Sequence, residues 1–143
     1  MEGTVSIVVK SNPEQVFDYI ANLENAPEWV PDLVSMRQTT SGEVGVGTRY
    51  SETVKMGKRE SEAELEVTEY DRPNLFAHNG EGGPVRFTAR FTVTPDGNGT
   101  KIVHDYSVKM TGLFKILAPL TNGWVRKNTN AAMDNLKEIL DKQ

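Results

Sequence analysis

The sequence contains no cysteine, which excludes disulfides, thiolate metal centres and cysteine nucleophiles. Histidine is nearly absent as well. Only His78 and His104 could donate nitrogen to a metal. They fall on strands separated by one other strand, ~10 Å apart even if level, so no metal site is expected. No stretch approaches the ~18 apolar residues that a membrane-crossing helix needs. The start, MEGTVSIVVKSNPE, lacks the basic and apolar regions of a signal peptide. The expectation is a cytoplasmic protein that is not integral to a membrane. Basic excess is missing too: the net charge is −4 and the 16 Lys and Arg form no stripe, so nucleic acid is not an expected partner. There is no G-x-S-x-G elbow, and no motif calls for a cofactor. Repeats, low-complexity tracts and linkers are also lacking, which leaves residues 1–143 as a single domain.

What is present is alternation. TVSIVVK (4–10) places Val5, Ile7 and Val9 on one face of a strand. SNPEQVFDYIANL (11–23) is a helix with two possible starts: a Ser11/Glu14 capping box, or Asn12 as N-cap with Pro13 at the first helical position. A short helical turn or kinked connection, ENAPEWVPDL (24–33), follows around Trp29. Six candidate strands occupy 33–40, 47–56, 59–70, 74–79, 85–94 and 100–110, separated by Gly, Pro, Asp and Asn turns. Glu60, Glu62, Glu64 and Glu66 share one face of the third of these. Spread over ~20 Å, they read as a solvated sheet face rather than a cation site. From Gly112 the period changes: Leu113, Leu117, Leu120, Trp124, Asn128, Ala132, Leu136 and Ile139 recur at helical steps. Pro119 opens or kinks this last helix.

The stretch HNGEGGP (78–84) invites several readings. A phosphate cradle needs a helix N-terminus after it, but VRFTARFTV is a strand. The other Gly-rich run, GEVGVGT (42–48), lacks the P-loop lysine. Two readings remain for HNGEGGP: an ordinary six-residue hairpin loop, or a mobile lid hinged by its glycines.

The segments IVVKSNPEQVFDYIANLENAPEW, GVGTRY, DRPN and NLKEIL resemble the START/Bet v 1-like (SRPBCC) superfamily, most of all its polyketide cyclase/dehydrase-type branch. The resemblance spans essentially the whole chain, through caps, turns and core positions. It implies an α+β helix-grip fold: a seven-stranded curved antiparallel sheet wrapped around a long C-terminal helix, with two short helices after strand 1. It also implies a cavity between sheet and helix, open at one end. The loop with Gly80, Glu81, Gly82 and Gly83 would lie at the mouth, with MGKR (56–59) and TGLFK (111–115) beside it.

Alternation then names the cavity candidates. Tyr50, Glu52, Val54 and Met56 share one face, as do Phe87 and Phe91, and His104 and Tyr106; the last helix adds Leu117, Leu120, Trp124 and Asn128. Glu52, His104, Tyr106 and Asn128 would be polar groups in an apolar chamber. Unpaired burial costs a few kcal/mol each, so they should meet each other, water or a ligand. The alternative is that His104 and Tyr106 are satisfied core residues and Glu52 lies at a solvated rim. Trp29, in its Pro-flanked turn, reads as structural. The expected function is binding of a small apolar molecule, as carrier or sensor. Two alternatives stand beside it: a cyclase/dehydratase using Glu52, His104 and Tyr106, and a protein-interaction module.

Overall fold

Asn12 settles how the first helix begins. In a computed structural model that describes residues 1–143, its side chain accepts a hydrogen bond from the Gln15 amide, and Pro13 occupies the first helical turn. The capping-box alternative fails because the Ser11 hydroxyl is used elsewhere, donating to the carbonyl of Leu140. The elements are β1 (Glu2–Val9), α1 (Pro13–Ala21), a 3-10 turn (Leu23–Glu28), β2 (Leu33–Gln38), β3 (Arg49–Met56) and β4 (Arg59–Asp71), followed by β5 (Leu75–Gly82), β6 (Val85–Asp96), β7 (Gly99–Met110), a second 3-10 turn (Gly112–Leu117) and α2 (Ala118–Asp141).

The seven strands form one antiparallel sheet in the order β1-β7-β6-β5-β4-β3-β2. Alternating residues face inward and meet α1, the first 3-10 turn and the C-terminal half of α2. Val16, Phe17 and Ile20 of α1 are buried together with Phe76, Val93 and Ile102 of the sheet and Met133, Leu136 and Leu140 of α2. This is the helix-grip architecture expected from the sequence. The outer sheet face is polar and carries cross-strand ion pairs, Arg49–Glu66 at 2.9 Å and Arg86–Glu81 at 3.1 Å among them. The glutamate row Glu60 to Glu66 lies on that face.

One end of the molecule is tied shut. Besides the Ser11–Leu140 bond, the Lys10 amide donates to Asp141 (2.9 Å), Lys137 donates to the Val8 carbonyl (2.6 Å), and Asn135 donates to the Trp29 carbonyl (3.1 Å). The opposite end is looser. The 3-10 turn before α2 buries no residue, and α2 starts without a side-chain cap.

The largest departure from the sequence expectation is at HNGEGGP. The six-residue loop does not exist: β5 runs through Gly82, and only Gly83 and Pro84 make the turn. Gly83 has a φ of 56°, where glycine is favoured. Gly80 and Gly82 serve close packing. A Cβ on Gly80 would overlap the Phe87 ring, and one on Gly82 would lie 2.8 Å from the Glu62 carbonyl oxygen. Gly80, Glu81 and Gly82 are therefore rungs of a sheet, not parts of a mobile lid.

Candidate functional site

Between the inner sheet face and the N-terminal half of α2 lies a cavity of about 340 Å³. Nineteen of its 28 lining residues are hydrophobic, the composition of a small-molecule site with a few placed polar groups. Of the residues singled out from the sequence, Glu52, Val54, Met56, Phe87, Phe91, His104, Tyr106, Trp124 and Asn128 line it. Gly82 also lines it, from within a strand.

Three do not. Tyr50 is 1% exposed and belongs to the core. The first 3-10 turn closes over it: Glu24 of that turn accepts from the amide of Gln38, the register partner of Tyr50. Burial, with Glu24 and Tyr70 nearby, raises the Tyr50 phenol to about 12. Leu117 and Leu120 project into solvent, the latter 80% exposed. The apolar stripe of α2 reaches the chamber only from Trp124 onward, through Val125, Asn128, Thr129 and Ala132.

Strand registers arrange the polar groups in depth. Glu52 pairs with Ala63, which lies beside Gly82, and Gly82 pairs with Val85. That row is the mouth. His78 pairs with Ala89 and Ala89 with Tyr106, while Phe76 pairs with Phe91 and Phe91 with His104. From Val85 to Phe91 the His104 row lies six residues further along β6 than the Glu52 row, about 20 Å of strand. Glu52 therefore does not pair with His104 or Tyr106, and the three do not converge on one atom.

At the mouth, burial pushes the Glu52 carboxyl up from its ordinary 4.5 to about 7, because a low-dielectric wall disfavours the charged form. Deeper in, His104 stacks on Phe91 with centroids 4.2 Å apart and planes 5° apart. Tyr106 follows at 5.5 Å from His104, and Trp29 meets Phe91 edge-on at 6.2 Å. Burial depresses His104 to about 4, against the opposing influence of the Arg90 carbonyl (3.4 Å from Nδ1) and Asp105. His78 is driven lower, to about 3, by burial and then by His104. Both imidazoles are neutral at neutral pH.

Three buried side-chain polar atoms have no hydrogen-bond partner within the protein: the Tyr50 hydroxyl, which belongs to the core, and a pair nearer the chamber, the indole nitrogen of Trp29 and Nδ1 of His78. Trp29 and His78 both line the cavity. Each unmatched atom costs about 1–3 kcal/mol. Neither of these two was a candidate from the sequence. His78 stands near the end of the strand expected over 74–79, where the glycines that follow obscure its inward facing, although Phe76, His78, Gly80 and Gly82 do alternate. Trp29 was read as structural. It is 6% exposed and packed, and it also lines the pocket, which no local pattern reveals. No cluster of three or more His, Cys, Asp or Glu side chains is placed to hold a metal ion.

A family model described as polyketide cyclase / dehydrase and lipid transport matches residues 2–141. No curated protein matches the chain in sequence. Among solved structures, TTHA0849 from Thermus thermophilus superposes with a TM-score of 0.79 at 20% identity, covering 96% of this chain and 95% of its own. Ara h 8.0201 gives 0.78 at 13%, covering 100% and 99%. The Zhui aromatase/cyclase from Streptomyces sp. R1128 gives 0.78 at 14%, covering 99% and 94%. At such identities the likeness is one of fold.

Proposed function

We propose that this chain, which belongs to the polyketide cyclase / dehydrase and lipid transport family, binds a small, largely apolar molecule between the sheet and the N-terminal half of α2, as a carrier or sensor. The observation that carries this reading is an apolar chamber whose lining includes Trp29 and His78, two residues whose buried nitrogens have no partner within the protein. An apolar body would replace water along Val54, Phe87, Ala89 and Phe91. An oxygen at its inner tip would accept from the Trp29 N–H, and neutral His78 can donate or accept beside it. A charged tip is disfavoured, because both imidazoles resist protonation and offer no counter-charge.

One observation favours a second reading, an acid–base step of the cyclase or dehydratase kind. Glu52, titrating near 7 at the mouth, is poised to exchange a proton with a bound molecule. His104 and Tyr106 would hold the far end of the same molecule rather than join Glu52 in a cluster.

The first measurement is organic extraction of the mildly purified protein, with mass spectrometry of what is released. A neutral fluorescent probe such as N-phenyl-1-naphthylamine then reports the chamber in solution. Ala132→Trp should fill the space beside Asn128 and Thr129 and abolish probe binding while the far-ultraviolet spectrum is retained. A folded A132W protein that binds the probe as wild type does would refute the chamber as the site.

A further inference from the structure

The apolar side chains around the cavity mouth are left largely uncovered by the protein. Leu113, Ile116 and Leu120 are 87%, 78% and 80% exposed, and Phe114, Leu117 and Trp124 are about half exposed. They follow one another along the second 3-10 turn and the first two turns of α2. Solvated proteins rarely display so many large apolar groups side by side unless something covers them.

The charge around them is equally distinctive. From Tyr106 to Met133 there is no acidic residue, while Lys109, Lys115, Arg126 and Lys127 lie in that segment. The β3–β4 hairpin tip reaches the same rim, where Met56 and Trp124 line the same pockets, and it adds Lys55, Lys58 and Arg59. Every ion pair of the molecule involves other basic residues. The acids beside the tip are exposed Glu60, the register partner of Lys55, and exposed Asp32, beside Lys55 and Trp124, so that Lys58 and Arg59 still leave the tip basic, while Glu81 is engaged with Arg86. A chain of net charge −4 has thus gathered unpaired positive charge around an apolar crest.

We infer that the mouth docks on an anionic lipid surface, with Leu113, Ile116 and Leu120 entering the acyl boundary and the flanking lysines and arginines meeting lipid headgroups. Apolar side chains ringed by Lys and Arg are what an interfacial segment requires, and basic groups near an anionic leaflet are attracted over a Debye length. A second copy of the chain fits less well, because a symmetric contact would set like charge against like. Docked in this way, the mouth faces hydrocarbon. An apolar molecule would then pass between bilayer and chamber without crossing water. That consequence rests on the chamber binding such a molecule, whereas the docking does not.

The test is co-sedimentation of the full chain with vesicles of phosphatidylcholine alone or with about one third phosphatidylserine. Wild type should pellet with the anionic vesicles and stay in solution with the neutral ones, and 0.5 M salt should release it. Leu113→Asp with Ile116→Asp should reduce the partition at least tenfold. Lys115→Glu, which removes one positive charge and adds a negative one, should reduce it by more than the roughly fivefold expected for loss of one surface charge. None of these residues lines the cavity, so probe binding in each variant should remain at the wild-type level. Loss of both readouts together would indicate misfolding, which circular dichroism identifies, and Lys115→Glu then decides alone. The inference is overturned if wild type ignores anionic vesicles. It is also overturned if light scattering shows a dimer that L113D/I116D disperses, since the crest would then belong to a second copy.

Discussion

Replacing Glu52 with glutamine should stabilise the empty protein, and only on one side of the pH scale. With its folded pKa raised to about 7 from 4.5 by burial, Glu52 is protonated in the folded chain at pH values where it is already ionised in the unfolded one. Its contribution is fully favourable below 4.5 and is lost as pH rises through about 7. A displacement from 4.5 to about 7 corresponds to about 3 kcal/mol. Because the side chain keeps some contact with solvent at the rim, about 2 kcal/mol is the expected size. Glutamine is a permanent mimic of the neutral acid, so E52Q should exceed wild type by about 2 kcal/mol at pH 8 and by about 0.8 kcal/mol at pH 5. In a chain of this length that is roughly 6 °C in Tm at the higher pH. Urea titrations of both proteins at the two pH values, with equal m-values required, measure the difference. Equal effects of E52Q at pH 5 and pH 8 would show that Glu52 is solvated in the folded state, and the account of the mouth would be wrong.

On the acid side the inner histidines set the trend. His104, lowered to about 4 from 6.5, contributes stability present above 6.5 and lost as pH falls towards 4, about 3 kcal/mol when complete. His104→Phe, which preserves a flat ring against Phe91, should flatten the decline seen by urea denaturation between pH 6.5 and 4; an unchanged slope would show that the imidazole titrates normally. Gly80→Ala places a methyl group against the Phe87 ring and should cost about 1–3 kcal/mol. An unaffected Tm would mean that β5 can shift there, as a loop would.

The sequence carried the fold because alternation and capping report on the backbone. Asn12-Pro13, the Ser-to-Val alternation of β4 and the helical repeat after Gly112 each had a local explanation, and each element formed within a few residues of its expected ends. The cavity was less legible for two reasons. Glycine served as a flag for turns, but Gly80 and Gly82 are glycine because Phe87 and the Glu62–Ala63 backbone press against them, a requirement set by another strand. The stripe from Leu113 to Trp124 has the spacing of a buried helix face, and periodicity records only that apolar residues align. It does not say whether the protein's own sheet or something else covers them. Tyr50 shows the converse, an inward residue claimed by the core because the 3-10 turn lies over it.

The unequal fastening of α2 has a further consequence. Its last turns are held by Ser11, Val8 and the Lys10 amide, while its first turns have no cap and follow a segment that buries nothing. Stability within one helix is then graded rather than uniform. The first turns can fray without disturbing the core around Met133 and Leu136, because that core does not depend on them. The two-residue hairpin at Gly83-Pro84 is bound into the sheet on both sides and has no such freedom. The wall of the chamber that is least fastened is therefore its helical one, at the crest itself.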